Sequence, residues 1–167
     1  ANAVVEAVNA AGHLYKRGAD QQLIDRGFLP SVEHFRSLKD AFWNDRLMNE
    51  VDASIVEGLD ENQSRSLLEM FVPVPKIDYS GGRVLAGLAR RFPALVLDYF
   101  GARRVRAAKR GPMRYEVIPY DMHELGAVLT ENPRQLLATT REWYGKDPRF
   151  HEYRGGLLFH NVFPELT

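Results

Sequence analysis

The chain has 167 residues, 45% of them hydrophobic, and its 22 basic residues are balanced by 22 acidic residues. A chain of this length and composition can bury a core within one compact unit, and its charge balance argues against a protein that binds polyanions over its whole surface. The absence of cysteine excludes disulfides, thiolate nucleophiles and cysteine-ligated metals.

The expected cellular location follows from similar exclusions. The sequence contains no run of about 18 apolar residues that would span a bilayer. The N-terminal segment carries Glu6, Lys16 and Arg17 instead of the basic start and apolar core of a signal peptide. We therefore expect a cytoplasmic protein with no membrane partner.

The N-terminal part, residues 1–45, is expected to cap or join a larger helical stack. Its segment Ala1–Arg17 is rich in alanine and valine, as in a capping or junction helix. Apolar spacing and turn residues predict four helices in the N-terminal third of the chain. They span about residues 2–17, 20–27, 31–43 and 46–59.

A first helical pair is predicted over residues 46–72, with Asp60 and Gln63 as cap signals between its two helices. A shift of 29 residues aligns its apolar positions with those of the next pair: Val56, Leu59, Leu67, Leu68 and Phe71 match Leu85, Leu88, Val96, Leu97 and Phe100. The match is weak because this pair has no proline between its helices.

The second pair, residues 80–106, is divided by a proline. Its first helix has an apolar stripe that ends at Phe92. Pro93 disfavours helical geometry at Phe92 and is a good first residue for the next helix, because its missing N–H needs no acceptor there. The next helix is predicted to run to about Arg104 and to be apolar on nearly all sides.

Two stretches interrupt the helical pattern. The segment Val72–Asp78 contains two prolines and is predicted to be an extended connector. In residues 107–120, a turn at Lys109–Pro112 precedes an alternating apolar segment. A short β-hairpin or an extended loop is therefore predicted near 105–119, and loops on a rigid stack often carry functional contacts.

The third pair is predicted over residues 121–146. Asp121 and Glu124 have the spacing of a capping box, and Asn132 is expected to cap a helix that begins at Pro133. The residues of this last helix that are predicted to point inward are Leu136, Leu137, Thr140, Trp143 and Tyr144.

A fourth, incomplete unit is predicted over residues 148–167. It ends near Phe163 and Pro164, where a second helix would begin. This favours a chain that is part of a longer polypeptide over one in which Pro164–Thr167 forms a truncated cap.

The second and third pairs repeat at a spacing of forty residues. Leu85, Leu88, Pro93, Val96 and Leu97 recur as Leu125, Val128, Pro133, Leu136 and Leu137. A unit of this kind cannot bury its apolar side alone, so its neighbours must stack on it. The pattern predicts an all-α fold, a stack of antiparallel helical hairpins.

The paired helices, the Phe92–Pro93 and Asn132–Pro133 joints and the recurring leucines resemble the HEAT-like family of α-helical repeats, over about residues 46–164. The segments 115–125 and 155–164 are also similar to helical-repeat regions of large bacterial multidomain proteins. The resemblance implies a right-handed α-solenoid whose second helices line a concave face, with protein or nucleic acid as the usual partner. Some similar folds are DNA glycosylases, but their catalytic constellation has no match here.

The expected function is a noncatalytic scaffold or recognition module that binds a partner protein. The alternative is nucleic-acid binding, because nine basic residues between Arg83 and Arg114 accompany a single acidic one. The candidate phosphate or partner contacts are Arg103, Arg104, Arg106, Lys109, Arg110 and Arg114. Arg103, Arg104 and Arg106 could instead lie at a solvated helix C-terminus, which favours cations. The whole basic stretch could also neutralise the acidic segment Ser31–Met70 beside it.

Catalysis is a third and weaker interpretation, and no catalytic, cofactor-binding or metal-binding residues are predicted. Asp121 and Glu124 are better explained as helix caps. His151 and His160 lack a metal-binding spacing. Asp78–Gly82 resembles a phosphate-binding loop, but no Lys-Ser or Lys-Thr follows it, so a capped helix start is expected. Trp43, Trp143 and Tyr144 are expected to pack in the core.

Overall fold

A computed structural model of the chain describes residues 3, 6–10, 21–38, 41–51, 53–110, 115–119 and 123–146. All regular structure within these ranges is helical, and none of them contains a strand. The predicted all-α class is therefore confirmed.

The described residues between 21 and 58 form a series of short helices. A π-helical turn, Ile24–Phe28, continues into α1, Leu29–Leu38, and α2 spans Ala41–Glu50. A 3₁₀ helix follows at Ala53–Gly58. The single helix predicted over residues 46–59 is therefore wrong, because α2 ends at Glu50.

The 3₁₀ helix has a sequence that disfavours an α-helix. Ile55 and Val56 are β-branched, and Gly58 has high backbone freedom, so all three are poor α-helix formers. The tighter helix nevertheless buries Ile55 and Val56 completely. The first predicted pair thus has a shorter first helix than the other pairs.

Helix α3, Glu61–Phe71, begins with a complete capping box. The Asp60 carboxylate accepts a hydrogen bond from the Gln63 amide at 2.8 Å, and the Gln63 side chain accepts one from the Asp60 amide at 2.9 Å. Two backbone donors that have no acceptor inside the helix are satisfied in this way. The predicted cap signals are confirmed.

Replacing Asp60 with alanine should lower the free energy of unfolding by about 1 kcal/mol, because the Gln63 amide loses its acceptor. Asn62→Ala is the matched control, since Asn62 is exposed in the same first turn, and it should change the free energy by less than about 0.5 kcal/mol. Denaturant unfolding measures both. Equal effects of the two substitutions would show that the cap contributes nothing of its own.

The Phe92–Pro93 joint separates two helices, as predicted. Helix α4, Tyr79–Arg91, begins where the Asp78 carboxylate accepts a hydrogen bond from the Gly81 amide at 2.9 Å. Phe92 leaves helical geometry, with φ −135° and ψ 63°. Pro93 is the first residue of α5, Pro93–Arg110. Asp78–Gly82 is thus a capped helix start.

The second proline joint has the same form. Helix α6 spans His123–Thr130, a turn follows, and α7 spans Pro133–Lys146. The predicted cap at Asp121 and the predicted unit at 148–167 lie outside the described residues.

Helix α5 extends six residues beyond its predicted end at Arg104. Ala107 packs in the core at 7% exposure, next along the stripe from Phe100 and Arg103, and this packing favours continued helix. A β-hairpin near 105–119 is therefore wrong: residues 105–110 are helical, and 115–119 contain no strand. The alternative of an extended loop agrees with residues 115–119.

The helices pack in two rows. In one row α4 contacts both the 3₁₀ helix and α6, and in the other α5 contacts both α3 and α7. Between the rows α4 contacts α5, and α6 contacts α7. Helix α1 packs on α2 and α3, and α2 packs on α3 and α4. One buried cluster extends through all of them, from Val8 to Trp143.

Most repeat positions are buried, but not all. Leu97 is 2% exposed, whereas its equivalent forty residues later, Leu137, is 47% exposed, and Tyr144 is 56% exposed. The inward orientation predicted for Leu137 and Tyr144 is therefore wrong. In its row α5 packs between two helices, α3 and α7, whereas α7 packs on one helix of that row, α5, among the described residues. The positions that are buried as predicted are Leu136, Thr140 and Trp143.

Candidate functional site

Arg103, the first predicted phosphate contact, lies in the interior of the protein. Its exposed fraction is 0%. Nη1 donates to the carbonyl oxygens of Val74 at 2.7 Å and Phe71 at 3.3 Å, both around the connector that follows α3. A guanidinium that is buried in this way cannot reach a phosphate at the surface, so the predicted phosphate contact at Arg103 is wrong.

The other donors of Arg103 bind the segment 115–119. Nε lies 3.1 Å from the carbonyl oxygens of both Glu116 and Val117, and Nη2 also donates to the Glu116 carbonyl. The guanidinium lies 5.4 Å from the ring centre of Tyr99 and 4.5 Å from that of Tyr115. Carbonyl dipoles and ring faces thus stabilise the buried cation.

The connector and the segment 115–119 also contact each other directly. The Glu116 amide donates to the Pro75 carbonyl at 2.8 Å, and the Glu116 carboxylate accepts from the Ile77 amide at 3.0 Å. The Tyr115 hydroxyl donates to the Val72 carbonyl. The described part of the predicted functional loop, residues 115–119, is therefore held to the connector by hydrogen bonds.

The remaining basic candidates do not converge. Arg104 and Arg106 are two positions apart, so they point about 160° apart around α5. Both are half-buried, and Lys109 is exposed. The side chain of Arg110 and all of Arg114 lie outside the described residues. The described members thus form no single phosphate-binding surface.

Two further arginines of the basic stretch make internal contacts. Arg90 forms an ion pair with Glu124 at 2.7 Å, which links α4 to α6. Arg91 donates to the carbonyl oxygens at the end of the 3₁₀ helix, those of Glu57 and Leu59. Part of the local positive charge therefore contributes to contacts between helices.

The alternative that Arg103, Arg104 and Arg106 lie at a solvated helix C-terminus is wrong for the first two. Helix α5 continues to Arg110, and Arg103 is buried.

A groove of about 150 Å³ lies between α3 and α5. Its floor is apolar: Leu68, Leu95 and Tyr99 are only 3–4% exposed. Val72, which is half-buried, also lines it. The groove therefore offers an apolar surface that is open to solvent in the row formed by the second helices.

The rim of the groove carries charge and one small residue. Arg65 and Glu69 belong to α3, Asp98 and Ala102 belong to α5, and all four are exposed. Arg65 is 3.3 Å from Glu61, and Glu69 is 3.9 Å from Arg36. Asp98 makes no ion pair within the part of the chain that the structure describes.

Arg103 supports the groove from behind. Its Nη1 donates to the Tyr99 hydroxyl at 3.2 Å, so the ring that forms part of the floor is held in place. Burial raises the pKa of the Tyr99 phenol above its ordinary value, although the nearby Arg103 acts in the opposite direction. Tyr99 thus stays neutral at physiological pH and contributes an apolar face.

Metal ligation and acid–base chemistry have little support in the described ranges. No group of three histidine, cysteine, aspartate or glutamate side chains is assembled there. Burial, and then the charge of Asp78, raises the pKa of Asp45, but Asp78 already serves as the cap of α4. These two carboxylates therefore carry no assigned chemistry.

The groove was not predicted from the sequence, although a signal for it exists. The residues that line it have the same spacing on both helices: Arg65, Leu68, Glu69 and Val72, and then Leu95, Asp98, Tyr99 and Ala102. This spacing of i, i+3, i+4 and i+7 marks one side of each helix. The juxtaposition of these two sides becomes known only from the fold.

Comparison with models of protein families, with curated proteins and with solved structures finds no match to this chain. Among the helices of the described residues, none combines the length and apolar character needed to cross a membrane.

Proposed function

We propose that the chain is a noncatalytic recognition module that holds a partner protein on the row formed by α3, α5 and α7. In this proposal the hairpins stack as a right-handed, HEAT-like α-solenoid, and α1 and α2 cap the stack. The two rows of helix contacts support the arrangement. Further support comes from the equivalent buried positions of successive pairs, such as Leu68 and Leu97.

The observation that carries the proposal is the α3–α5 groove. Protein interfaces concentrate their binding energy in a few anchor side chains that fill pockets and lose water. A cavity of about 150 Å³ accommodates a group the size of benzene, so this groove fits one aromatic or branched aliphatic anchor. Its floor is already formed and is held by the Arg103–Tyr99 hydrogen bond, which lowers the entropic cost of binding.

Nucleic-acid binding has less support. Arg103 is buried, and Arg104 and Arg106 point to different sides of α5. The groove itself has Glu69 and Asp98 on its rim, and these carboxylates repel phosphates.

A substitution that fills the groove tests the proposal. Short random peptides displayed on phage are selected on the wild-type chain, and the affinities of the enriched peptides are then measured by fluorescence anisotropy. Ala102→Trp should weaken binding by about thirtyfold or more, because the indole occupies the anchor position. Ala108→Trp is the matched control: Ala108 is an exposed alanine at a different angle on α5, and binding should be unchanged.

Two results would contradict the proposal. One is a set of enriched peptides whose binding does not respond to Ala102→Trp. The other is an oligonucleotide that displaces the peptides and whose affinity falls steeply with salt, as phosphate binding requires. An apolar anchor should show only a weak salt dependence.

A further inference from the structure

We infer that the occupant of the α3–α5 groove is a short, positively charged segment of a partner protein, in which an apolar side chain lies close to a lysine or arginine. This inference rests on the proposed docking function and specifies its ligand. The floor of the groove determines the apolar anchor, and the rim determines the charge beside it.

The charges on the rim favour a cation. Two carboxylates, Glu69 and Asp98, and one guanidinium, Arg65, line the groove. The Arg65 guanidinium is 3.3 Å from the Glu61 carboxylate, and the Glu69 carboxylate is 3.9 Å from Arg36. Both charges are therefore partly compensated, and the excess on the rim is that of Asp98. The rim thus presents net negative charge to an approaching chain.

Asp98 is the carboxylate best placed to receive a lysine or arginine. It is exposed, it belongs to α5, and within the described residues it has no ion-pair partner. Glu69 is already 3.9 Å from Arg36. A cationic side chain next to the anchor would therefore find an available acceptor at Asp98, whereas an acidic side chain would be repelled.

The size of the groove limits how much of the partner is recognised here. One anchor and one ion pair are a small contact, so the groove by itself suits a short segment bound weakly. Exposed ion pairs contribute about 0.2–1 kcal/mol, and the charge therefore selects among apolar segments more than it adds affinity.

Charge reversal at the rim tests the inference on the peptides selected above. The enriched sequences should carry an aromatic or branched aliphatic residue within a few positions of lysine or arginine. Asp98→Lys should weaken their binding by about fivefold or more, since attraction becomes repulsion. Glu131→Lys, the same change at an exposed glutamate outside the groove, should alter binding by less than about twofold.

A charge swap completes the test. The best peptide is resynthesised with its basic residue replaced by glutamate, and it should bind the Asp98→Lys variant better than it binds the wild-type chain. Binding that responds to Ala102→Trp but not to Asp98→Lys would overturn the cationic ligand and leave the docking function standing. Enrichment of acidic peptides would also overturn it. Peptides that ignore Ala102→Trp would contradict both. A melting temperature close to that of the wild-type chain, measured for each variant, excludes unfolding as the cause of weaker peptide binding.

Discussion

Replacement of Arg103 by methionine is expected to lower the free energy of unfolding by about 3 kcal/mol. The reason is that several carbonyl oxygens would lose their donor in the interior of the protein. Arg103 Nη1 donates to the carbonyl oxygens of Phe71 and Val74, and Nε donates to those of Glu116 and Val117. A loss of this size should lower the melting temperature by about 6–12 °C.

The control for Arg103→Met is Lys109→Met, which removes a positive charge from an exposed position of the same helix. It should change the free energy of unfolding by less than about 0.5 kcal/mol. Arg103→Lys should also destabilise strongly, because a single ammonium group cannot replace a planar fork that binds two segments at once. If both Arg103 variants unfold at the same denaturant concentration as the wild-type chain, the hydrogen bonds of Arg103 do not stabilise the fold.

Hydrogen exchange would locate the effect of Arg103→Met. The amides of Ile77 and Glu116 join the connector to the segment 115–119. They should exchange faster in the variant under conditions where the amides in the middle of α4 keep their protection.

The second large effect concerns two leucines that the sequence repeat makes equivalent. Leu97→Ala should cost about 3 kcal/mol, because it removes a side chain that is 2% exposed and leaves a cavity. Leu137→Ala should cost less than about 1 kcal/mol, because Leu137 is 47% exposed and alanine is the better helix former. Denaturant unfolding of both variants measures the difference.

Each leucine is thus the control for the other, because both substitutions are leucine to alanine and both leucines lie in the second helix of a pair. A cost at Leu137 as large as that at Leu97 would show that the exposed stripe of α7 is covered in solution. Repeating the measurement over a range of protein concentrations would then tell whether a second copy covers it, because only that contact strengthens with concentration.

The parts of the fold that could be predicted from the sequence depend on residues close together in the chain. The Asp60 cap requires only Gln63, three positions later, and the Phe92–Pro93 joint follows from the geometry of one proline. The proline joints and the start of α3 were therefore predicted correctly. The end of α5 was not, because the burial of Ala107 against other segments favours helix beyond the predicted end at Arg104.

The burial of Arg103 could have been suspected from helical spacing. Tyr99 lies four positions before it and Ala107 four positions after it, so it belongs to the same inward stripe as Val96 and Phe100. Proximity along the sequence alone does not distinguish this buried arginine from the exposed Lys109 of the same basic stretch. The groove could not be predicted from the sequence for a different reason. Its two walls are about thirty residues apart in the chain, and only the packing of α3 on α5 brings them together.

The two walls of the groove belong to helices of different pairs, and this has a mechanical consequence. The separation between neighbouring pairs sets the width available to an anchor side chain. Bending that spreads α3 from α5 would loosen the anchor, and an inserted anchor would resist that bending to the same extent, because such coupling is reciprocal. Under the proposed docking function, the effect of a bound segment on the free energy of bending would then equal the effect of the same bending on the free energy of binding.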